Sequence, residues 1–379
     1  MGPGLRRGGL RMVDDRDLAH MRAALALARR GLGNTWPNPA VGCVIVKDGH
    51  VRGRGWTQRG GRPHAETEAL ARAGAAARGA TAYVSLEPCS HHGKTPPCAE
   101  SLITAGIARV VSAVEDPDPR VSGRGLTRLR EAGIAVETNV CETVAAELNA
   151  GFFTRVRHGR PLVTLKLATS LDGRIATAGG ESRWITGPAA RERAHLLRAT
   201  HDAVLVGTGT ALADDPELTC RLPGLEDRSP VRIVLDRYLR LPSTMRLFSK
   251  IGQAPAWVVT LASSDPARQA ELAASGVKII AAKMDDEGKI DLTALLRQFG
   301  DEGLTRLLIE GGGQLAAALL RRGLVDRLIW MRAPMAIGGD GLPAVAALGL
   351  EALAGAPRFT LASSETASGD VIDTYRLAE

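Results

Sequence analysis

Residues 62–70 read R-P-H-A-E-T-E-A-L, and residues 87–98 read E-P-C-S-H-H-G-K-T-P-P-C. The whole chain has five cysteines, and two of them stand here beside three histidines and a glutamate. Five cysteines in 379 residues are too few for a disulfide framework, and the odd number favours a reducing compartment such as the cytoplasm. In that setting, clustered cysteine and histidine indicate metal binding or catalysis.

These residues resemble the signature H-x-E followed by P-C-x-x-C, which is typical of zinc deaminases acting on cytosine or adenine rings. His64 would supply one nitrogen ligand and Cys89 and Cys98 two thiolates, which leaves a fourth position open for water. Glu66 is the candidate general acid/base, because it stands beside the metal without binding it. The match is inexact, since eight residues separate the two cysteines instead of two.

The residues alone leave several alternatives open. His91 or His92 is a rival ligand, the zinc could be purely structural, and the site could hold no metal. A structural site has no need of a carboxylate beside it, so Glu66 favours catalysis over a metal-stabilised binding protein. A nucleic-acid or nucleoside deaminase with an accessory domain is a further alternative.

The rest of the first half predicts a layer of alternating strands and helices, which indicates an α/β fold. Strands at residues 41–46 and 51–56 are joined by K-D-G-H, a hairpin turn. Further strands are predicted at residues 82–86, 109–114 and 134–138, and helices at residues 18–30, 64–73, 98–105, 126–132 and 142–149. The stretch G-F-F-T-R-V-R-H-G-R-P contains glycine, proline and positive charge, and the α/β pattern restarts after it. We therefore place the domains at residues 12–157 and 158–379, with a structureless lead before Met12.

The second half repeats the α/β pattern and contains R-L-L-I-E-G-G-G-Q-L-A-A-A-L-L from residue 306. A short strand runs into three glycines and then a helix, an arrangement that lets backbone N–H groups approach an anion. It is not the G-x-G-x-x-G fingerprint, so a merely tight turn remains an alternative. Strands are predicted at residues 162–168, 203–206, 231–235, 257–260, 278–281, 306–309 and 327–331, and helices at residues 188–198, 292–298 and 314–322.

Composition narrows the partners of the protein. The net charge is +7, but the basic residues are scattered and aromatics make up only 3%, so there are few rings on which bases could stack. A basic protein that handles a phosphorylated metabolite fits equally well. The apolar runs are too short to span a membrane, and the N-terminus lacks the apolar centre of a secretory signal. We expect a small-molecule substrate and no nucleic-acid or membrane partner.

A family resemblance sharpens these expectations. The run N-P-A-V-G-C-V-I-V, then H-A-E, then L-E-P-C-S-H-H-G-K-T-P-P-C resembles the deaminase half of the bifunctional riboflavin-biosynthesis deaminase–reductases, including the longer cysteine spacing. The resemblance implies a cytidine-deaminase-like three-layer domain that removes an amino group from a phosphoribosylated diaminopyrimidine. It also implies that Asn38, His91 and Lys94 bind this substrate. Thr57 departs from the family, which usually has a histidine at that position.

The second half resembles the reductase of the same family through L-K-L-A-T-S-L-D-G-R, G-E-S-R-W-I-T-G, A-D-D-P-E-L-T-C-R and L-I-E-G-G-G. This implies a dihydrofolate-reductase-like domain that uses NADPH and forms a homo-oligomer. The cofactor side would comprise Ala168, Trp184, Thr210, Asp214, Gly311, Gly312 and Gly313. The substrate side would comprise Lys166, Ser182, Arg198, Leu218, Arg221 and Glu310.

Simpler roles remain open for some of these residues. Lys166 and Asp214 are the side chains to consider for proton handling, although a bound water would serve as well. Arg198 and Arg221 suit a ribose phosphate, because a guanidinium can grip it with two bonds. Either arginine could instead form a surface ion pair, and Trp184 could belong to the core.

Overall fold

The computed structural model describes residues 14–91 and 96–378, which form two compact units. The units divide between Ala150 and Gly151, and the segment Leu32–Pro37 belongs with the second unit. The domain division predicted between residues 157 and 158 stays a prediction. The expected start near Met12 lies outside the described residues.

The first unit is a five-stranded sheet flanked by helices. The helices are α1 (Asp15–Ala28), α2 (Ala65–Ala73), α3 (Cys98–Thr104), α4 (Arg124–Glu131) and α5 (Glu142–Leu148). The strands are β1 (Gly42–Lys47), β2 (His50–Trp56), β3 (Thr81–Val84), β4 (Arg109–Ser112) and β5 (Ala135–Glu137), in the order β2-β1-β3-β4-β5. Strand β1 runs antiparallel to β2 and β3, whereas β3, β4 and β5 are parallel. The predicted hairpin between β1 and β2 is confirmed.

Helices cover both faces of this sheet. A side chain on Gly42 of β1 would collide with the carbonyl oxygen of Ala24 in α1. A side chain on Gly55, which pairs with Cys43, would collide with the carbonyl oxygen of Ala65 in α2. Successive strand residues point to opposite faces, so α1 and α2 pack on opposite sides. The unit therefore has the three layers that were predicted.

The second unit is built on a nine-stranded sheet. Its helices are α6 (Ala150–His158), which starts one residue before the division, α7 (Pro188–Ala199), α8 (Thr208–Asp214), α9 (Pro266–Ala274), α10 (Leu292–Asp301) and α11 (Gly313–Arg321). Its strands are β6 (Leu162–Thr169), β7 (Arg174–Ala176), β8 (Ala203–Gly207), β9 (Val231–Leu235), β10 (Ala256–Leu261), β11 (Lys278–Ala282), β12 (Arg306–Ile309), β13 (Arg327–Arg332), β14 (Leu342–Pro343), β15 (Phe359–Ala367) and β16 (Asp370–Leu377). Within the described part of the chain, none of the helices has the length and hydrophobicity needed to cross a bilayer.

The order of the large sheet is β11-β10-β9-β8-β12-β6-β13-β16-β15, and β7 pairs separately with β14. All neighbours are parallel up to β13, and the last two pairs are antiparallel. Both faces are buried: in β8, Ala203 and Leu205 join one hydrophobic cluster and Val204 and Val206 another. This explains why the strands are continuously apolar instead of alternating. Ligands bind such sheets beyond the carboxyl ends of the strands.

The stretch in which the domain boundary was placed is largely helical. G-F-F-T-R-V-R-H forms most of helix α6, with Phe152 and Phe153 buried. A Cβ at residue 151 would lie 2.6 Å from the carbonyl oxygen of Thr305. This close packing explains why the helix has a glycine at that position. The sequence analysis also missed α8, α9 and the C-terminal hairpin of β15 and β16.

Candidate active sites

Three predicted ligand atoms converge in the first unit. The Nδ1 atom of His64 lies 3.2 Å from Sγ of Cys98 and 3.7 Å from Sγ of Cys89. All three atoms lie within 4.8 Å of one another. Ligand atoms around a tetrahedral zinc, with bonds of 2.0–2.3 Å, lie roughly 3.6 Å apart. The donor set and its spacing therefore fit zinc.

Two helix starts and one turn position these ligands. His64 is the N-cap of α2, but its side chain makes no capping hydrogen bond and is free to face the cysteines. Cys98 is the first residue of α3, and its backbone N–H donates to Sγ of Cys89 at 3.3 Å. The Cys98 thiol and, to a smaller extent, His64 also form hydrogen bonds with the Cys89 sulfur. These hydrogen bonds lower the pKa of Cys89 to about 4, although burial acts in the opposite direction. The cluster therefore favours a thiolate, the form that binds metal.

Glu66 lies in the first turn of α2, two residues after the histidine. Its side chain is buried, with 3% of the residue exposed, and its carboxyl group is within hydrogen-bonding reach of the Cys98 thiol. Burial is the main cause that raises the pKa of this carboxyl group. A buried carboxyl beside the ligand cluster, but outside the ligand set, has the position that a proton carrier requires.

Sequence analysis did not assign a role to Glu87, which fixes the turn that carries Cys89. Glu87 is buried, and its carboxylate accepts 2.9 Å hydrogen bonds from the backbone N–H groups of Gly123 and Gly125. A side chain at Gly125 would collide with the carbonyl oxygen of Pro88, so α4 packs directly on the turn. The only signal in the sequence is that Glu87 immediately precedes the P-C of the motif, and this position does not reveal its distant backbone partners.

The other predicted deaminase residues are only partly located. The side chain of Asn38 is half-buried and packs directly on Gly61. Nδ1 of His91 is buried, and no described group hydrogen-bonds it. Lys94 and the rival ligand His92 lie outside the described residues. His91 lines a cavity of about 560 Å³ that also includes Arg120, Ser122, Arg124 and Arg128.

Thr57, where the family usually has histidine, is engaged with the backbone. Its hydroxyl oxygen accepts a 2.9 Å hydrogen bond from the N–H of Val41 and donates a 3.4 Å hydrogen bond to the carbonyl oxygen of the same residue. Thr57 is also buried, with 2% of the residue exposed. Its side chain therefore holds the entry to β1.

Replacing Thr57 by valine should destabilise the first unit, because the buried N–H of Val41 would lose its acceptor. We expect Thr57→Val to lower the free energy of unfolding by about 1–3 kcal/mol. This change can be measured by unfolding both proteins in urea and using the loss of deaminase activity as the signal. Thr57→Ser, which keeps the hydroxyl, should lie closer to the wild type, and an unchanged midpoint for the valine variant would contradict the role.

The second unit has a cleft beyond the carboxyl ends of β8 and β12. Its volume is about 780 Å³, within the usual range for small-molecule and cofactor sites. Four of the predicted cofactor residues line it: Thr210, Asp214, Gly312 and Gly313. Ser182, predicted on the substrate side, also lines it, whereas Ala168, Trp184 and Gly311 are not among its lining residues.

None of the three glycines has a positive φ, and two of them are explained by close packing. A Cβ at Gly311 would lie 2.8 Å from Cδ2 of Leu315, and one at Gly313 would lie 2.6 Å from the carbonyl oxygen of Pro343. Gly312 caps the start of α11 and faces the Thr210 hydroxyl. The turn thus brings the N–H groups at the positive end of α11 to the cleft, where an anionic group such as a pyrophosphate would be favoured.

Gly313 offers a direct test of this arrangement. A methyl group there would push against Pro343, which lines the same cleft. We expect Gly313→Ala to raise the KM for NADPH about tenfold or more while deamination stays unchanged, measured by initial rates of both reactions. Gly252→Ala is the control, because its Cβ would meet nothing within 4 Å. Wild-type cofactor affinity in Gly313→Ala would show that the turn is not part of the site.

Three predicted substrate-side residues form one partly buried ionic group. Glu310 accepts hydrogen bonds from Nε and Nη2 of Arg198 at 2.6 and 3.0 Å, and Nζ of Lys166 lies 3.7 Å away. Burial opposes ionisation of Glu310, but Arg198 and Lys166 outweigh it and lower the pKa of the carboxyl to about 2. The alternative that Arg198 forms an ion pair on the surface is wrong, since only 13% of its side chain is exposed.

The remaining predicted residues are less uniform. The Leu218 side chain is buried in a hydrophobic cluster, which leaves its backbone as the part able to face a ligand. Trp184 is 66% exposed, with the guanidinium of Arg191 4.6 Å from its ring centroid, so the core alternative is wrong. Half of the Arg221 side chain is exposed.

His195, which no sequence motif indicated, lies between Arg198 and Arg221 and contacts the backbone near both. Its Nδ1 lies 3.2 Å from the carbonyl oxygen of Thr219 and 3.3 Å from the backbone N–H of Arg221. Burial, then the charge of Arg198, lowers the pKa of His195 to about 4. Histidine is therefore neutral here near pH 7 and adds no charge to the arginines.

Three ligands that fit zinc beside a buried carboxyl group are typical of a hydrolytic deaminase, and the second unit has a cleft of the size that holds a cofactor. Comparison with known protein families agrees: residues 14–114 match the cytidine and deoxycytidylate deaminase zinc-binding region, and residues 161–372 match the RibD C-terminal domain. The chain belongs to the RibD family of bifunctional riboflavin-biosynthesis enzymes. It is a deaminase and an NADPH-dependent reductase, with zinc and NADPH as cofactors.

Individual relatives cover nearly the whole chain. The riboflavin biosynthesis protein RibD of Escherichia coli is 46% identical over 356 residues, which are 90% of this chain and 94% of the relative. The structure of Acinetobacter baumannii RibD is 41% identical, covers 96% of this chain and 99% of its own, and has a TM-score of 0.86. A Thermotoga maritima diaminohydroxyphosphoribosylaminopyrimidine deaminase/5-amino-6-(5-phosphoribosylamino)uracil reductase is 35% identical, with the same coverages and a TM-score of 0.83. The cytidine-deaminase-like and dihydrofolate-reductase-like folds are thereby confirmed.

Proposed function

We propose that the protein converts 2,5-diamino-6-(5-phosphoribosylamino)pyrimidin-4-one in two steps. The first unit hydrolyses one ring amino group to an oxo group and releases ammonia. The second unit then reduces the ribosyl group to a ribityl group at the expense of NADPH. The substrate assignment is supported by the Thermotoga relative, a diaminohydroxyphosphoribosylaminopyrimidine deaminase that is 35% identical over almost the full chain.

In the deaminase, His64, Cys89 and Cys98 are the proposed zinc ligands. When bound, the metal supplies the positive charge that lowers the pKa of water toward neutrality. Glu66 accepts a proton from the attacking water and passes it to the departing amine, so that ammonia leaves as a neutral group. Asn38, His91 and Lys94 are the proposed contacts to the pyrimidine and its phosphate.

In the reductase, NADPH supplies the hydride that is transferred to the ring-opened ribosylamine carbon. The proposed task of the protein is to align the two carbons and exclude water. Thr210, Asp214 and the turn Gly311–Gly313 hold the cofactor, together with Ala168 and Trp184. Arg198 and Glu310 hold the substrate together with Lys166, because these three side chains form a pre-arranged ionic group at the strand ends. The remaining proposed substrate contacts are Ser182, Leu218 and Arg221.

One observation carries this proposal: the predicted ligands of a deaminating zinc site converge beside a buried glutamate in a chain that also matches the reductase domain. The test is to incubate the protein with the pyrimidine phosphate, with and without NADPH, and identify the products by mass. Without NADPH we expect ammonia and the oxo product alone. With NADPH we expect that product to gain a hydride and a proton.

A different outcome would change the assignment. Release of ammonia from cytidine or from single-stranded nucleic acid, with no turnover of the pyrimidine phosphate, would favour the alternative of a nucleoside or nucleic-acid deaminase. Ammonia release without any oxidation of NADPH would leave the deaminase and remove the proposed second step.

We also propose that the two activities divide at residues 12–157 and 158–379, and that the protein acts in the cytoplasm as a homo-oligomer joined through the reductase. Strand β15 supports the last point. It forms one edge of the nine-stranded sheet, and Leu361 on it is 53% exposed. An edge strand presents unpaired backbone groups to a neighbour. All five cysteines are free, as is usual for proteins of the reducing cytoplasm, and this supports the proposed location.

A further inference from the structure

A second group of charges lies in the reductase unit, and only one of its members, Arg221, has a proposed role so far. The Glu217 cluster consists of Glu217 and three cations around its carboxylate: Arg246 at 3.0 Å, Arg221 at 3.6 Å and Lys250 at 3.9 Å. Only 17% of the Glu217 side chain is exposed, whereas 52–57% of each cation is exposed. One carboxylate faces three cations, so the cluster presents an excess of positive charge to solvent.

The backbone that carries these cations is fixed from beneath. Arg232 of β9 is completely buried, and its guanidinium donates hydrogen bonds to the carbonyl oxygens of Ser249 at 2.8 Å and of Glu217 at 3.5 Å. The carboxylate of Asp215 accepts a 2.8 Å hydrogen bond from the backbone N–H of Arg246. One buried arginine therefore ties together the segments that hold Glu217 and Lys250, and the cluster is pre-arranged.

Stability alone gives a poor account of this arrangement. Exposed ion pairs contribute about 0–1 kcal/mol each, and three cations that share one carboxylate also repel one another. Bringing them together is favourable when a further anion binds, since the added negative charge removes that repulsion. A phosphate dianion has the charge and the several acceptor oxygens to engage more than one cation.

The cluster adjoins the proposed substrate group. Arg221 belongs to both, and its backbone N–H contacts His195. His195 and Arg198 in turn lie 3.2 and 3.1 Å from the same carbonyl oxygen, that of Thr219. The cations thus stand beside the residues proposed to hold the ribose phosphate of the reductase substrate.

We propose that Arg246 and Lys250 complete the phosphate site of the reductase, with Arg221 as the third cation. Glu217 holds the three side chains in place before the substrate arrives. The inference rests on the proposed function, since it requires a phosphorylated substrate at this site. It adds two residues that neither the sequence pattern nor the family resemblance indicated.

The test compares Arg246→Ala, Lys250→Ala and the double variant with the full-length wild type. The substrate is the deaminated pyrimidine phosphate, and NADPH oxidation is followed. We expect each single variant to raise the KM for this substrate about fivefold and the double variant about twentyfold, as for partly exposed charged contacts. We expect kcat to change less than twofold, and the KM for NADPH to stay unchanged. Screening by added salt should weaken substrate binding in the wild type more than in the double variant.

Two controls make the result specific. Lys289→Ala removes another exposed lysine, paired with Glu287 at 2.7 Å, and should leave the KM unchanged. The same pyrimidine without its phosphate should bind the wild type and the double variant equally well. Inorganic phosphate should inhibit the wild type competitively, with a weaker effect on the double variant.

The outcomes separate this inference from the proposed function. If the wild type fails to oxidise NADPH with the deaminated pyrimidine, the reductase assignment is at fault. If the wild type turns over but the double variant keeps the same KM and the same inhibition by phosphate, the cluster is a set of surface ion pairs and the inference is wrong. An equal loss of affinity for the unphosphorylated pyrimidine would also overturn it.

Discussion

Glu66→Gln is expected to abolish deamination while zinc remains bound. The amide keeps the size of the side chain but cannot accept a proton from water, and general acid–base catalysis of this kind contributes about 10²–10⁴-fold to a rate. We expect ammonia release from the pyrimidine phosphate to fall about a thousandfold. Zinc content, measured by atomic emission on the purified protein, should stay near that of the wild type because Glu66 is not a ligand.

The chain supplies two controls for this variant. Glu68→Gln alters another glutamate of α2, whose carboxylate lies 3.1 Å from Arg72, and should retain deamination. Oxidation of NADPH with the deaminated pyrimidine should be unaffected in Glu66→Gln, which shows that the second unit is folded, and retained zinc shows that the ligand site of the first unit is intact. Wild-type ammonia release in Glu66→Gln would remove this residue from the mechanism.

Cys89→Ala is expected to remove both zinc and deamination. The variant loses the sulfur that lies within 3.7 Å of Nδ1 of His64 and accepts the backbone N–H of Cys98, which leaves two protein ligands where three are needed. We expect zinc to fall from about one per chain to a small fraction of that, with no ammonia release. The reductase step should persist, because its residues lie in the other unit.

Cys141→Ala is the matched control, since Cys141 is also free and half-buried but does not belong to the ligand group. It should bind zinc and deaminate as the wild type does. Stoichiometric zinc in a Cys89/Cys98 double alanine variant would show that the ligand set is wrong and would direct attention to His91 and His92.

The zinc group was predictable because its parts are local. H-A-E places His64 and Glu66 in the first turn of one helix, and the cysteine motif ends at the first residue of another. Strands with continuous apolar residues and the Asp48–Gly49 turn were equally local signals, and both residues have the positive φ that such a turn requires. Short-range chemistry of this kind survives folding almost unchanged.

Features that depend on distant partners were not predictable. Helix α6 was not predicted, and its Gly151 is a glycine because the backbone of Thr305 leaves no room for a side chain. Glu87 looked like part of a motif, whereas its carboxylate binds N–H groups some 36–38 residues away. Such contacts are set by tertiary packing, which no single stretch of sequence contains.

The second site lies between these extremes. The resemblance indicated Lys166, Arg198 and Glu310 one by one, but not that they form a single ionic group. Their side chains come from β6, from α7 and from the turn after β12, which the parallel sheet brings together at one edge. The pairing follows from strand order, and strand order is a property of the whole unit.

The turn after β12 has a consequence for inhibition. Glu310, which we propose contacts the substrate, is joined directly to Gly311, the first residue of the proposed cofactor turn, and consecutive Cα atoms are only about 3.8 Å apart. A compound that joins a mimic of the substrate to a mimic of the cofactor pyrophosphate would therefore need only a short linker to reach both. A substitution in this turn that repels one half of the compound would also disturb the binding of the substrate or of NADPH. Resistance through this turn would therefore lower the activity of the enzyme.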